Sequence, residues 1–134
     1  MAFATVGEKK LIDCFTGEAA AAEYWVGLCS DAAGTEIAAG DTYARKSVGA
    51  AGASFGAASG DAPTCEAVNA SEIAFAESGA AWNSGNAIIY AGLFDAAAAG
   101  NLLAVIALTL PGVTVSVAGQ TVKFAAGALT ISVT

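Results

Sequence analysis

Residues 87–110, AIIYAGLFDAAAAGNLLAVIALTL, constrain the fold more than any other part of the chain. Two apolar runs, 88–94 and 102–108, flank Asp95, a run of alanines, Gly100 and Asn101. Asp bonds its own backbone in turns, and Gly and Asn tolerate positive φ. The pattern predicts a central β-hairpin. The alternative is a short helical turn through 95–99, because alanine favours helix. In either form the two runs carry the most apolar surface of the chain and should build its core.

The 134 residues suit one domain, 1–134, divided into a helical arm (1–17) and a β-sandwich (18–134). A chain of this size buries roughly two thirds of its unfolded surface and folds without metal or disulfide. Its many alanines and glycines let layers approach closely but contribute little burial energy each. A buried Leu or Phe contributes about 1.5–3 kcal/mol, so the few large residues must share one core. Modest stability alone, and a gain from assembly, are expected.

The net charge is −7, and the five basic residues, Lys9, Lys10, Arg45, Lys46 and Lys123, form no stripe. Neutralising nucleic-acid phosphates or anionic lipid requires clustered Lys and Arg, so neither nucleic acid nor membrane is an expected partner. The start, MAFATVGEKK, lacks the apolar region of a secretory signal. The apolar run 102–110 is far shorter than the ~20 residues that span a bilayer as a helix.

Along the chain, 5–15 reads as one short helix. Thr5 and Glu8 make a capping box, and Leu11, Ile12 and Phe15 share a face. A lone helix of this length is marginal in water and needs a partner. Strands are predicted at 23–29, 42–48, 65–69, 71–76, 113–117 and 129–133, with 121–124 returning after the tight turn 118–120. Within 42–48, Arg45 and Lys46 suit a half-exposed edge. The glycine-rich 49–60 is a weak strand or a flexible loop, and Trp82 should lid the core. Short strands divided by glycine turns make the chain mainly β, an antiparallel β-sandwich or jelly-roll-like domain with one short N-terminal helix.

No catalytic constellation stands out. The chain has no histidine, so Ser-His and Cys-His pairs are excluded and the usual base at neutral pH is missing. No Walker loop exists, and Gly49, Gly52 and Gly56 lack the strand-to-helix setting of a phosphate cradle. Glu72, Glu77 and Asp95 are candidate paired carboxylates, with Asp95 more simply a turn residue. Asp31, Glu36 and Asp41 crowd one loop without a calcium-loop pattern. Trp25, Tyr43 and Trp82 could stack on a sugar or pack in the core. Cys14, Cys29 and Cys65 lack zinc-site spacing. Their odd number leaves one thiol over, compatible with inert thiols or with a cross-chain disulfide outside a cell. No metal, no cofactor and no enzymatic activity are expected.

Several stretches recur together in order: YWVGL (24–28), Gly34-Thr35-Glu36, Tyr43-Ala44-Arg45, Trp82, GLFDAAAAGNLL (92–103), Ala107-Leu108-Thr109, AGQTVKF (118–124) and AGALTISV (126–133). In these the chain resembles a family of small tailed-bacteriophage virion proteins, the phage tail fibre-like proteins. The resemblance covers nearly the whole chain. It implies a non-enzymatic, β-rich, repeated surface subunit, resident in a virion assembled in the host bacterial cytoplasm. Within a virion, a chain without internal repeats is no fibre shaft. Compactness, acidity and a short helix fit an external head decoration or cement protein, which commonly packs as a trimer on the capsid lattice. The expected partners are copies of itself and other virion proteins, the major capsid protein among them. The alternatives are a tail-fibre or collar appendage subunit and a carbohydrate-binding module. The expected interface is the helix face Leu11, Ile12 and Phe15 with the strand edge Arg45 and Lys46.

Overall fold

The computed structural model describes residues 2–3, 23–38, 42–50, 55–56 and 65–133. Nine strands are seen among them: β1 (Ala2–Phe3), β2 (Glu23–Cys29), β3 (Lys46–Ala50), β4 (Cys65–Val68), β5 (Ile73–Ala74), β6 (Tyr90–Phe94), β7 (Leu102–Ala107), β8 (Lys123–Phe124) and β9 (Thr130–Val133). All pairings are antiparallel. The main sheet has the order β1-β7-β6-β2-β3, and two ribbons, β4-β9 and β5-β8, accompany it. The chain is therefore mainly β, as its short, glycine-divided strands lead one to expect. The predicted helix 5–15 lies outside the described residues. Ala2–Phe3, assigned to the helical arm in the sequence reading, pair with Val105 and Ala104 at the edge of the main sheet.

The central hairpin forms as β6-β7, with Tyr90 opposite Ala107 and Leu93 opposite Ala104. Its turn is bent backbone rather than helix. Asp95 accepts from the Asn101 backbone N–H at 2.6 Å and from Asn101 Nδ2 at 2.9 Å, which closes the loop across the alanine run. Ala99 and Gly100 take the positive φ values, 52° and 68°. Asn101, expected to share that role, instead serves as the partner of Asp95.

Residues paired directly across strands share a face of the sheet. Val26 with Leu93, Leu28 with Ala91, and Ala91 with Ile106 point to one side. There they join the core with Val48, Ile73, Phe75, Trp82, Ile88 and Phe124. Trp25 with Phe94, and Gly27 with Gly92, point to the other. Both faces are thus apolar at the centre, which explains why 88–94 and 102–108 read as continuous apolar runs instead of alternating.

Three predicted strands come out differently. Residues 113–117 form no ladder strand. Val113 exchanges both backbone bonds with Ile88, at 2.7 and 2.9 Å, and Val115 accepts from Trp82 N. The returning segment pairs not with 113–117 but with β5, Ile73 opposite Phe124. Gln120 is the reason: its Oε1 accepts from the N–H groups of Ser116 and Val117. The side chain takes bonds that a partner strand would otherwise satisfy. The strand expected at 42–48 begins only at Lys46, because Thr42 sits at φ 71°.

Candidate functional site

Among the described residues, the most organised polar group lies under the second face of the main sheet. Gly27 and Gly92 are opposite each other. A Cβ at Gly27 would sit 2.8 Å from Phe94 Cε2, and one at Gly92 2.7 Å from the same atom. Two glycines therefore let the Phe94 ring lie against bare backbone. The guanidinium of Arg45 covers that ring, its Cζ 3.7 Å from the centroid, a cation–π contact.

Arg45 forks onto Glu36, Nε to Oε1 at 2.9 Å and Nη2 to Oε2 at 2.7 Å. Its Nη1 donates to the carbonyls of Ala96 and Ala99, each at 2.7 Å. Tyr43 donates its hydroxyl to Glu36 Oε1 at 2.8 Å and accepts from Leu28 N at 2.9 Å. The Arg45 side chain is 7% exposed and Glu36 24%. Bidentate charge-assisted bonds are the strong class, and they have to offset the desolvation of two ions. One guanidinium thus ties the 30–38 loop, the approach to β3 and the β6-β7 turn into a single unit. Burial above all, and then the hydrogen bond to Glu36, holds the Tyr43 hydroxyl far above its ordinary pKa, against the opposing bond from Leu28 N.

The arrangement changes how several candidate residues are read. Arg45 and Lys46 do not form one exposed edge: Arg45 turns inward to this group, while Lys46 is exposed. Leu11, Ile12 and Phe15 lie outside the described residues, as does Asp41. Glu36 is held by Arg45 and Tyr43. Asp31 accepts at Oδ1 from the backbone of Ala33 and Thr35. The bonds from Thr35 in particular lower its pKa. Among the described residues no cluster of three metal-ligating side chains occurs.

Of the three candidate aromatics, Trp25 is half-buried on β2, and the other two pack in the core. Tyr43 and Trp82 are buried, 5.3 Å apart edge to face, in a cluster with Phe75 and Phe124. Trp82 is part of the core, not a lid on it. Of the candidate carboxylates, Asp95 holds its turn, Glu72 stands 3.9 Å from Lys123, and Glu77 is exposed. Cys29 is buried and free, which removes it from any cross-chain disulfide. Cys65 lies in β4, and Cys14 is outside the described residues.

Sequence reasoning missed the role of Arg45. A signal was present: the resemblance rests on Gly34-Thr35-Glu36, Tyr43-Ala44-Arg45 and the GLFDAAAAGNLL stretch, and these three meet at the guanidinium.

Among the described residues Val68, Leu110 and Val117 are the exposed large apolar side chains, Leu110 the most at 73%. No helix among these residues is long and apolar enough to cross a membrane.

The described strands, all paired antiparallel, define a β-rich fold. The chain belongs to the family described as Podophage GP4 fiber I protein gp80, whose model matches residues 2–132. This agrees with the resemblance to phage tail fibre-like proteins and makes the chain a fibre-type virion component. The head-decoration role expected from size and acidity gains no support from this family, which favours the tail-fibre reading. A search of curated proteins found no match.

Proposed function

We propose that this chain is a non-enzymatic structural subunit of a tail-fibre or collar appendage on a podophage virion. The observation that carries the reading is the family match over residues 2–132. The internal use of Arg45, Glu36 and Asp95 supports it, because these charged groups hold the fold. Its partners are copies of itself and neighbouring virion proteins, with no nucleic acid and no membrane. Lys46, exposed on β3, and the segment bearing Leu11, Ile12 and Phe15 are proposed contributors to those contacts.

Cryo-electron microscopy of the particle that carries the chain tests the proposal. Density for the domain confined to tail or collar, at low copy number, is the expected result. Density over the head exterior, at hundreds of copies, would overturn the appendage and restore head decoration.

A further inference from the structure

We infer that residues 30–36 form an acid-released strap over the second face of the main sheet, fastened to Arg45 by the Glu36 carboxylate. The segment leaves β2 at Ser30 and rejoins the core at Ile37, whose N–H donates to Leu28 O at 3.0 Å. A backbone bridge between Cys29 and Glu36 forms its base. From there it reaches over β7. Gly34 has φ 83° and lies against Leu102 and Val105, where a Cβ would sit 2.9 Å from Val105 Cγ2. Val105 shares a cross-strand row with Gly92 and Gly27, and Leu102 shares one with Phe94 and Trp25. The strap thus covers the apolar side chains of this face with bare backbone.

Polar bonds, not inserted side chains, keep it there. Ser30, Asp31, Ala32, Ala33 and Thr35 are exposed, and the first strap-side residue in the core is Ile37. Segments with few buried apolar contacts open at the low end of local stability. Asp31 Oδ1 accepts from Ala33 N and Thr35 N, bonds that shape the bend and stay within the strap. Glu36 bonds outward. Its carboxylate accepts from Tyr43 Oη and Arg45 Nε at Oε1 and from Arg45 Nη2 at Oε2. All three partners are donors, so a protonated Glu36 sets an O–H against an N–H or another O–H. The neutral acid has no comfortable seat in this cage.

Tyr43 and Arg45, ahead of β3, and Cys29 of β2 face Glu36, and Asp31 stands on the strap itself. Asp95 lies in the turn that Arg45 holds, where it accepts from Asn101. Of these groups only the carboxylates take up protons in acid. When Glu36 leaves, Arg45 keeps the carbonyls of Ala96 and Ala99 and the ring of Phe94. The strap therefore moves, and the β6-β7 turn stays. Among the described residues the buried polar side chains of the core are Asn69 and Ser78. Neither titrates, so the core outlasts the strap as pH falls. The inference does not depend on where in the virion the chain resides.

Nuclear Overhauser contacts between Gly34 and the methyls of Leu102 and Val105 test it. In the wild type they should be present at neutral pH and lost on acidification to about pH 4. Contacts across β6-β7, Leu93 to Ala104, and the near-UV circular dichroism should persist there. Glu36→Gln, which mimics the neutral acid, should lose the Gly34 contacts at neutral pH. Glu66→Gln, an exposed acid on β4, should behave as wild type. Gly34 contacts that survive acid in the wild type would overturn the inference, as would their retention in Glu36→Gln at neutral pH. So would their loss at the same pH as the β6-β7 contacts, which would be unfolding of the whole sheet. Full release at neutral pH in Asp31→Asn, with Glu36 intact, would overturn it too.

Discussion

The guanidinium of Arg45 and the ring of Phe94 face each other at 3.7 Å, with the backbone of Gly27 and Gly92 directly behind the ring. The ring lies between glycine backbone and cation, and the Glu36 carboxylate meets the cation edge-on, close enough to Gly27 that a Cβ there would sit 2.8 Å from its Oε1. Arg45→Met should destabilise the fold by about 3–5 kcal/mol, because it leaves the Glu36 carboxylate half-buried without its counter-ion. The double change Glu36→Gln with Arg45→Met should cost less than the sum of the single changes. Urea denaturation of the four proteins measures both, and strict additivity would show that the pair is not coupled.

Gly92→Ala should cost about 1–3 kcal/mol, the range for forcing extra volume into a packed site. The added methyl meets Phe94 at 2.7 Å and Cys29 Sγ at 2.9 Å. Coupling it to Phe94→Leu should recover part of the loss, since a smaller side chain vacates the collision. If thermal unfolding of the double variant is no better than the sum, the crowding lies elsewhere.

Asp95→Ala should loosen the β6-β7 turn and cost about 1–2 kcal/mol for the lost bonds to Asn101. Hydrogen exchange at the Asn101 amide should accelerate much more than at Val26 in the neighbouring strand. Uniform acceleration would mean that the substitution acts on the whole fold and not on the turn.

The hairpin was legible because its signals are local: apolar runs, an Asp at one end and Gly-Asn at the other. Residues 23–29 were legible for the same reason. Arg45 was not. Alternation along a strand places a charged residue outward, and its inward turn depends on Glu36 and on Ala96 and Ala99, more than fifty positions away. The β5-β8 pairing was equally hidden, since two-residue strands carry no periodicity. Gln120 redirected that segment with bonds that no propensity reveals.

Alkaline pH should weaken the fold. Cys29 is buried near Glu36 and Asp31, and burial first, then those charges, push its thiol from 9.0 up to about 12. The folded state keeps the proton to higher pH than the unfolded chain. The contribution is therefore complete below pH 9.0 and is lost as pH rises toward about 12. Tyr43 is shifted in the same direction. Cys29→Ala should give a shallower decline of denaturation free energy over this window, and identical slopes would count against Cys29 as a source. In the native protein below pH 9.0 the Cys29 thiol should resist alkylation and react only on unfolding.

The pairing of Ala2–Phe3 with Val105 and Ala104, and of Cys65 with Val133, has a consequence for the life of the chain. The strand Ala2–Phe3 has no neighbour until residues more than a hundred positions later have left the ribosome. Pairings so distant in sequence are slow to find each other. A nascent chain halted before β7 would leave β6 without one of its two flanking strands. Losing β7 would strip a partner from β1 and β6 together, so the main sheet closes only once residues 102–107 are in place.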